Sequence, residues 1–318
     1  MSVGVESRPA PPVAPAGPRP GKGVGESRPG GWFVRITVLV IVLLWLIPTL
    51  GVLITSLRPE ELADSTGWWT ALASPFDSAQ WTLENYQLAI EGEGFGNAFL
   101  NSLAVTIPST VIPITIAAFA AYAFSWMQFR GRDVMFIAVV ALLVVPLQMA
   151  LIPILRLYTS GAQLGGYIVF PDLDLSGTFL GVWLAHTGFG LPLAIYLLRN
   201  YIGSLPSSLI ESAKIDGADH FTIFWRLIIP LSVPALAAFA IFQFLWVWND
   251  YLLAVTFLGS NSPDAPMTVR LATLSGARGQ DWHLLTAAAF ISMALPLVVF
   301  FSLQRYFVRG LTAGSVKG

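Results

Sequence analysis

Apolar residues in this chain run in long blocks separated by short polar stretches. About six blocks are long enough for a helix to cross a hydrocarbon core, a crossing that takes roughly 20 apolar residues. They run from Trp32 to Leu57, Asn97 to Gln128, Val134 to Tyr158, Gly177 to Tyr201, Leu231 to Leu258 and His283 to Val308. The pattern predicts an all-α, polytopic membrane bundle. Pro48, Pro108, Pro113, Pro146, Pro153, Pro192, Pro234 and Pro296 fall inside the blocks. Such prolines break soluble helices but are tolerated where neighbouring helices re-satisfy the freed carbonyls, and the kinks suit a bundle that bends around a pathway.

Composition agrees with a bilayer setting. Hydrophobic residues make up 55% of the 318, charged residues 11%, and the mean hydropathy is +0.69, too few charges to solvate a soluble domain of this length. With no cysteine there is neither a disulfide framework nor a thiolate metal site. A net charge of -1 argues against nucleic acid, which calls for a basic face. Residues 1–31 are rich in Pro, Gly, Ser and Arg and can bury nothing, so they read as a disordered tail rather than a cleavable signal. Thirteen of the 17 Lys and Arg fall on one side of the predicted spans, and Arg58, Arg156, Arg270 and Arg278 fall on the other. By the positive-inside rule both termini and the loop around Glu211 are cytoplasmic, and the tail over 309–318 joins them there. The outer stretch over 58–96, with Trp68, Trp69, Phe76, Trp81, Tyr86 and Phe95, reads as a small packed cap at the outer interface.

The polar loop over 202–230 has the signals of a helical hairpin. Ser207 after Pro206 is a plausible helix cap, and Gly217 a plausible stop because it can adopt positive φ. Leu209, Ala213 and Gly217, with Ile210 beside them, form an apolar stripe flanked by Glu211 and Lys214. Asp219 can cap a second helix through Phe221, Phe224, Trp225 and Ile228 that returns to the membrane, with Pro230 as its boundary. Periodicity alone fits equally an interfacial hairpin that merely connects two spans.

Glu211-Ser212-Ala213, followed by Gly217 and by Leu227-Ile228-Ile229-Pro230, resembles the EAA loop of ABC importer permeases, with Ser212 in place of the usual Ala. Trp248-Asn249-Asp250-Tyr251-Leu252-Leu253 and the ending from Gln304 to Gly318 resemble maltose-type carbohydrate permeases, second-subunit type. Leu103 to Ala123, Val145 to Ala150 and Gly276 to Trp282 are most similar to the α-glucoside branch. The resemblance covers the chain from Trp32 onward and implies a type I ABC importer permease fold over 32–308. It implies a multi-pass subunit of the bacterial cytoplasmic membrane that forms half of a sugar pathway. The implied partners are a second homologous permease, two ABC ATPase subunits and an extracytoplasmic sugar-binding protein. Glu211, Ser212, Ala213, Lys214, Asp216 and Gly217 become ATPase-coupling residues, with Glu211 as the anchor, Ala213 as the close-packing position and Gly217 as the turn. Gly310, Thr312, Gly314 and Lys317 become tail contacts with the ATPases; composition alone gives a frayed terminus. No Gly-x-x-x-x-Gly-Lys-[Ser/Thr] occurs, so this subunit binds no cofactor, and ATP and Mg belong to the partner ATPases.

An ionisable residue within a span calls for an explanation, and Asp250 falls in the fifth block. Trp246 and Asn249 stand beside it, and Gln148 and His186 are further polar groups at membrane depth. Aromatic faces with amide and carboxylate groups suit a sugar, which has apolar CH faces and many hydroxyls. Asp250 can equally be a structural lock near the outer interface, and a lone histidine such as His186 is more often a packing residue. His220 and His283 fall on different sides, so no metal set is expected, and no catalytic motif occurs. The leading function is therefore a non-catalytic permease subunit of an ATP-driven, binding-protein-dependent sugar importer. A gradient-driven secondary sugar transporter working through Asp250, or a scaffold without transport, are the alternatives.

Overall fold

The computed structural model describes residues 31–277 and 281–312, excepting the side chains of residue 277 and of 305–312. Among the described residues five helices are long and apolar enough to cross a membrane, six if one sharply bent pair counts as a single span. The chain divides after Leu50 into two units. In the first, residues 31–50 carry most of α1 (Trp32–Ser56), whose last six residues belong to the second.

The second unit is built around α4 (Phe95–Trp126), α7 (Phe179–Gly203), α10 (Ile229–Trp248) and α13 (Trp282–Thr312). Small buried residues, Ala117 and Ala121 on α4 and Ala194 on α7, let backbones approach closely, which is how apolar helices associate without a hydrophobic drive from lipid. Three of the prolines find the compensation that a membrane helix needs. Pro108 deprives the Ala104 carbonyl of its helical donor, and Trp183 Nε1 of α7 donates to that carbonyl at 2.9 Å. Pro113 does the same to Ser109, which receives Gln243 Nε2 of α10 at 3.2 Å. Pro296 frees Ser292, which receives Trp248 Nε1 at 3.0 Å. Each proline thus fixes the register of one helix against another.

Two blocks are not the single spans that hydropathy suggests. The third is α5 (Arg132–Ala141), a 3₁₀ turn over Leu142–Val144, and α6 (Leu147–Ser160), the two halves bent by 104°. Val145 and Pro146 are extended, as a residue before proline and the proline itself prefer, so two residues suffice to turn the chain. The fifth block ends at Trp248, and Asp250 lies outside its helix. The Asp250 carboxylate instead accepts the amides of Leu253 and Ala254, at 3.0 and 3.1 Å, and starts α11 (Leu252–Leu258).

At that same end of the bundle, α2 (Glu60–Ser65) and α3 (Glu84–Gln87) fill the stretch expected to be an aromatic cap, and their cohesion is largely polar. Arg58, 1% exposed, donates to the carbonyl of Thr66 and to the hydroxyls of Thr66 and Thr70, while Asn85 donates to the carbonyls of Ser56 and Arg58. Burial in this pocket pushes the guanidinium pKa down from its usual value. Phe95 is buried, but Trp69 and Phe76 are exposed, Phe76 fully, so the aromatic content there is only partly core. A short antiparallel hairpin, β1 (Ala162–Leu164) and β2 (Tyr167–Phe170), follows α6 and is an element that hydropathy does not predict. Asn101 and Ser102 of α4 bond the segment that leads into α12 (Met267–Ala277).

Candidate functional site

The polar loop between α7 and α10 folds as α8 (Ser207–Ile215) and α9 (His220–Ile223). Pro206, extended, occupies the position before the first turn, so Ser207 is helical rather than the cap. The exit is a two-bond helix stop. Ala218 donates to the Ala213 carbonyl and Gly217 to the Lys214 carbonyl, both at 3.0 Å, with Gly217 at φ +81°. Asp219 then starts α9 by accepting the Thr222 amide at 2.8 Å. Hydrogen bonding from the Thr222 side chain, then from its amide, holds the Asp219 carboxyl below the usual carboxylate range.

Ile210 is buried and Ala213 and Ala218 pack on the same core, so these residues bind the hairpin to the bundle. Leu209 and Gly217 are exposed, which shifts the apolar stripe expected over Leu209, Ala213 and Gly217 by part of a turn. Glu211, Ser212, Lys214 and Asp216 are exposed, and Ile215 is 85% exposed between them. Leu209, Ile215, Phe221 and Trp225 thus leave apolar surface exposed on the hairpin beside charges of both signs.

Behind the hairpin stands the last part of α4. Tyr122 Oη lies 2.8 Å from His220 Nδ1, and Phe119 stacks on Phe224 with ring centroids 4.5 Å apart. Trp126 Nε1 donates to the Ile202 carbonyl at 3.1 Å where α7 ends. Pro230 does not bound the second helix: α9 continues through a π turn over Phe224–Ile228 into α10, so hairpin and span form one body. Tyr122, Phe119 and His220 carry no motif, and only an aromatic cluster near the end of a span marks them in the sequence.

The polar pathway candidates separate in space. His186 is fully buried, its Nε2 3.7 Å from Asp250 Oδ2 and its ring edge-to-face with Trp246, centroids 5.4 Å apart. Neither His186 nitrogen has a hydrogen-bond partner. Trp246 also lines a cavity of about 430 Å³ in the bend between Leu142 and Tyr158, walled by α7 and lined mainly by apolar side chains. Asn249 is exposed and donates to the Leu245 carbonyl, and Gln148 is exposed in the first turn of α6. Thus His186, Trp246 and Asp250 form one group, which Asn249 and Gln148 do not join. Gly310 and Thr312 fall in the last turns of α13, their side chains undescribed, and Gly314, Lys317 and all but the last residue of the expected N-terminal tail over 1–31 lie outside the described residues.

The profile of the binding-protein-dependent transport system inner membrane components matches residues 113–313. The osmoprotective compounds uptake permease protein GgtD of Synechocystis sp. is 60% identical, over 89% of this chain and 91% of that protein. The alpha-glucoside transport system permease protein AglG of Rhizobium meliloti is 44% identical, over 90% and 97%. Among solved structures, a chain of a bacterial alginate ABC transporter, crystallised with its pentasaccharide-bound periplasmic protein, superposes with a TM-score of 0.64 at 13% identity, covering 85% of this chain and 92% of that one.

Proposed function

This chain belongs to the family of binding-protein-dependent transport system inner membrane components, and from that membership we propose that work done by separate ATPase subunits enters it through the α8–α9 hairpin. It is a multi-pass membrane permease with the ABC importer permease fold. The observation that carries the coupling reading is the hairpin itself, a rigid stop at Gly217 presenting Ile215 among Glu211, Lys214 and Asp216 while Ile210 and Ala213 fix it to α4, α7 and α10. ATP and Mg sit on two partner ATPases in this reading, and a second permease completes the pathway. An extracytoplasmic binding protein delivers the solute, and the hairpin faces the cytoplasm with both termini.

The solute is a sugar, with the α-glucoside class supported by the relative at 44% identity and a small osmoprotective solute by the one at 60%. Closure of the ATPases displaces the hairpin, and because α9 runs unbroken into α10, the displacement reaches Trp246 and Asp250 at the far end of that span. The gradient-driven alternative is not favoured. It rested on Asp250, whose carboxylate is engaged by two backbone amides.

The test is uptake of a labelled α-glucoside into proteoliposomes holding the assembled transporter, with ATP on the hairpin side. Wild type transports only with ATP, and Glu211→Lys and Gly217→Pro insert normally but do not transport. Uptake that survives ATP removal and dies with an ionophore would show a secondary carrier instead.

A further inference from the structure

Glu60 and Asp64 are one helical turn apart on α2, so both carboxylates project from one face. Against that face stands His283, in the first turn of α13. One ligand atom from each of the three lies within 4.8 Å of the others. The separation suits a cation after small rotations of the two exposed carboxylate side chains.

Acidic pairs on a surface are common, and the histidine is what distinguishes this one. His283 is only 5% exposed, its Nδ1 has no hydrogen-bond partner, and its Nε2 stands 4.0 Å from Glu60 Oε2, beyond hydrogen-bond reach. A buried polar ring ordinarily has its bonds made, and this one faces two carboxylates without bonding either. Among the described residues no Lys or Arg pairs with Glu60 or Asp64. The nearest cation in sequence, Arg58, is engaged with Thr66 and Thr70.

We propose that Glu60, Asp64 and His283 form a binding site for a divalent first-row transition metal, clamping α2 to the start of α13 at the end of the bundle away from the α8–α9 hairpin. One imidazole nitrogen with two carboxylate oxygens is a Zn²⁺-type donor set, and it leaves at least one coordination position open to water or to an external ligand. Ca²⁺ and Mg²⁺ take oxygen donors and gain nothing from the ring. Neither the family profile nor the resemblance to sugar permeases calls for a metal here, so the assignment rests on these three side chains.

The experiment is calorimetric titration of ZnCl₂ into the detergent-solubilised full chain, purified through a tag without histidines, with thermal unfolding measured with and without the metal. The expected result is one Zn²⁺ per chain and a raised unfolding midpoint. The Glu60→Gln/Asp64→Asn variant should lose at least about tenfold in affinity together with the midpoint rise, while unfolding like wild type in chelator. Its substitutions are isosteric and exposed, so the variant keeps its fold. His283→Gln should weaken Zn²⁺ binding and leave any Ca²⁺ binding unchanged. Absence of Zn²⁺ binding, or binding that the double variant leaves intact, overturns the assignment.

Discussion

The side-chain amide of Gln243 donates to the main-chain carbonyl of Ser109 across 3.2 Å, the carbonyl that Pro113 leaves without a helical donor. Gln243 is thereby the replacement for an N–H that the α4 sequence lacks. Replacing Gln243 with Leu should destabilise the bundle by about 1–3 kcal/mol, the cost of a buried polar group left unpaired. In a Pro113→Ala background α4 supplies its own N–H, and the same substitution should cost clearly less. Thermal unfolding of the four proteins of this double-mutant cycle gives the coupling, and additive effects would mean that Gln243 and Pro113 are unrelated. Trp248 and Pro296 offer a second cycle of the same design.

Gly217 tests the hairpin by conformation alone. A Cβ there meets nothing within 4 Å, so substitution strains the backbone without a steric clash. Gly217→Ala should cost about 1–2 kcal/mol in the stop, Gly217→Asn less, and Gly217→Pro should abolish it because φ +81° is closed to proline. Uptake driven by ATP should fall progressively from Gly217→Asn to Gly217→Ala to Gly217→Pro while protein in the membrane stays constant. Equal uptake by all three would remove the hairpin from the coupling path.

The pH response of α9 follows from Asp219. Its folded pKa lies below the ordinary carboxylate value of about 3.9. The stability it contributes is therefore fully present above that value and is lost as pH falls through the lowered folded pKa. From pH 8 down to about 5 the amide exchange protection of Thr222 and Ile223, corrected for intrinsic exchange, should be flat with respect to this group. It should drop only in stronger acid, and Asp219→Asn should remove the acid-dependent drop. Loss of protection already near neutrality would assign the cap to another group.

Much of the bundle was legible because block length is a membrane constraint in its own right, and α1, α4, α7 and α13 begin and end within a few residues of their hydropathic limits. The failures have local causes. Val145-Pro146 cannot be helical in the usual way, yet apolar content alone carries the third block straight through the 104° bend. The fifth block closes early because Asp250 takes amides at the start of α11, a competition between side chain and backbone that no hydropathy window sees. In the hairpin, Gly217 and Asp219 were readable since turn chemistry is local. The inward face was misplaced because Ile210 and Ala213 pack on a core that draws residues from α4, far away in sequence. Tyr122 and His220 meet only through tertiary packing.

His186 separates a packing role from a transport role. Two unpartnered nitrogens in a fully buried ring cost about 1–3 kcal/mol each where nothing in the fold bonds them. A transport role would give the ring its partner in another conformation, with the neighbouring cavity beside Trp246 wetted or holding solute. His186→Leu removes both polar atoms and keeps most of the bulk, so the unfolding midpoint should hold or rise while ATP-driven uptake falls at least about tenfold. Asp250→Asn is the contrast. An amide oxygen still accepts from Leu253 and Ala254, so α11 persists, and uptake near wild type would leave Asp250 as the helix start it is in this conformation. A His186→Leu transporter with full uptake and a raised midpoint would make the histidine a packing residue.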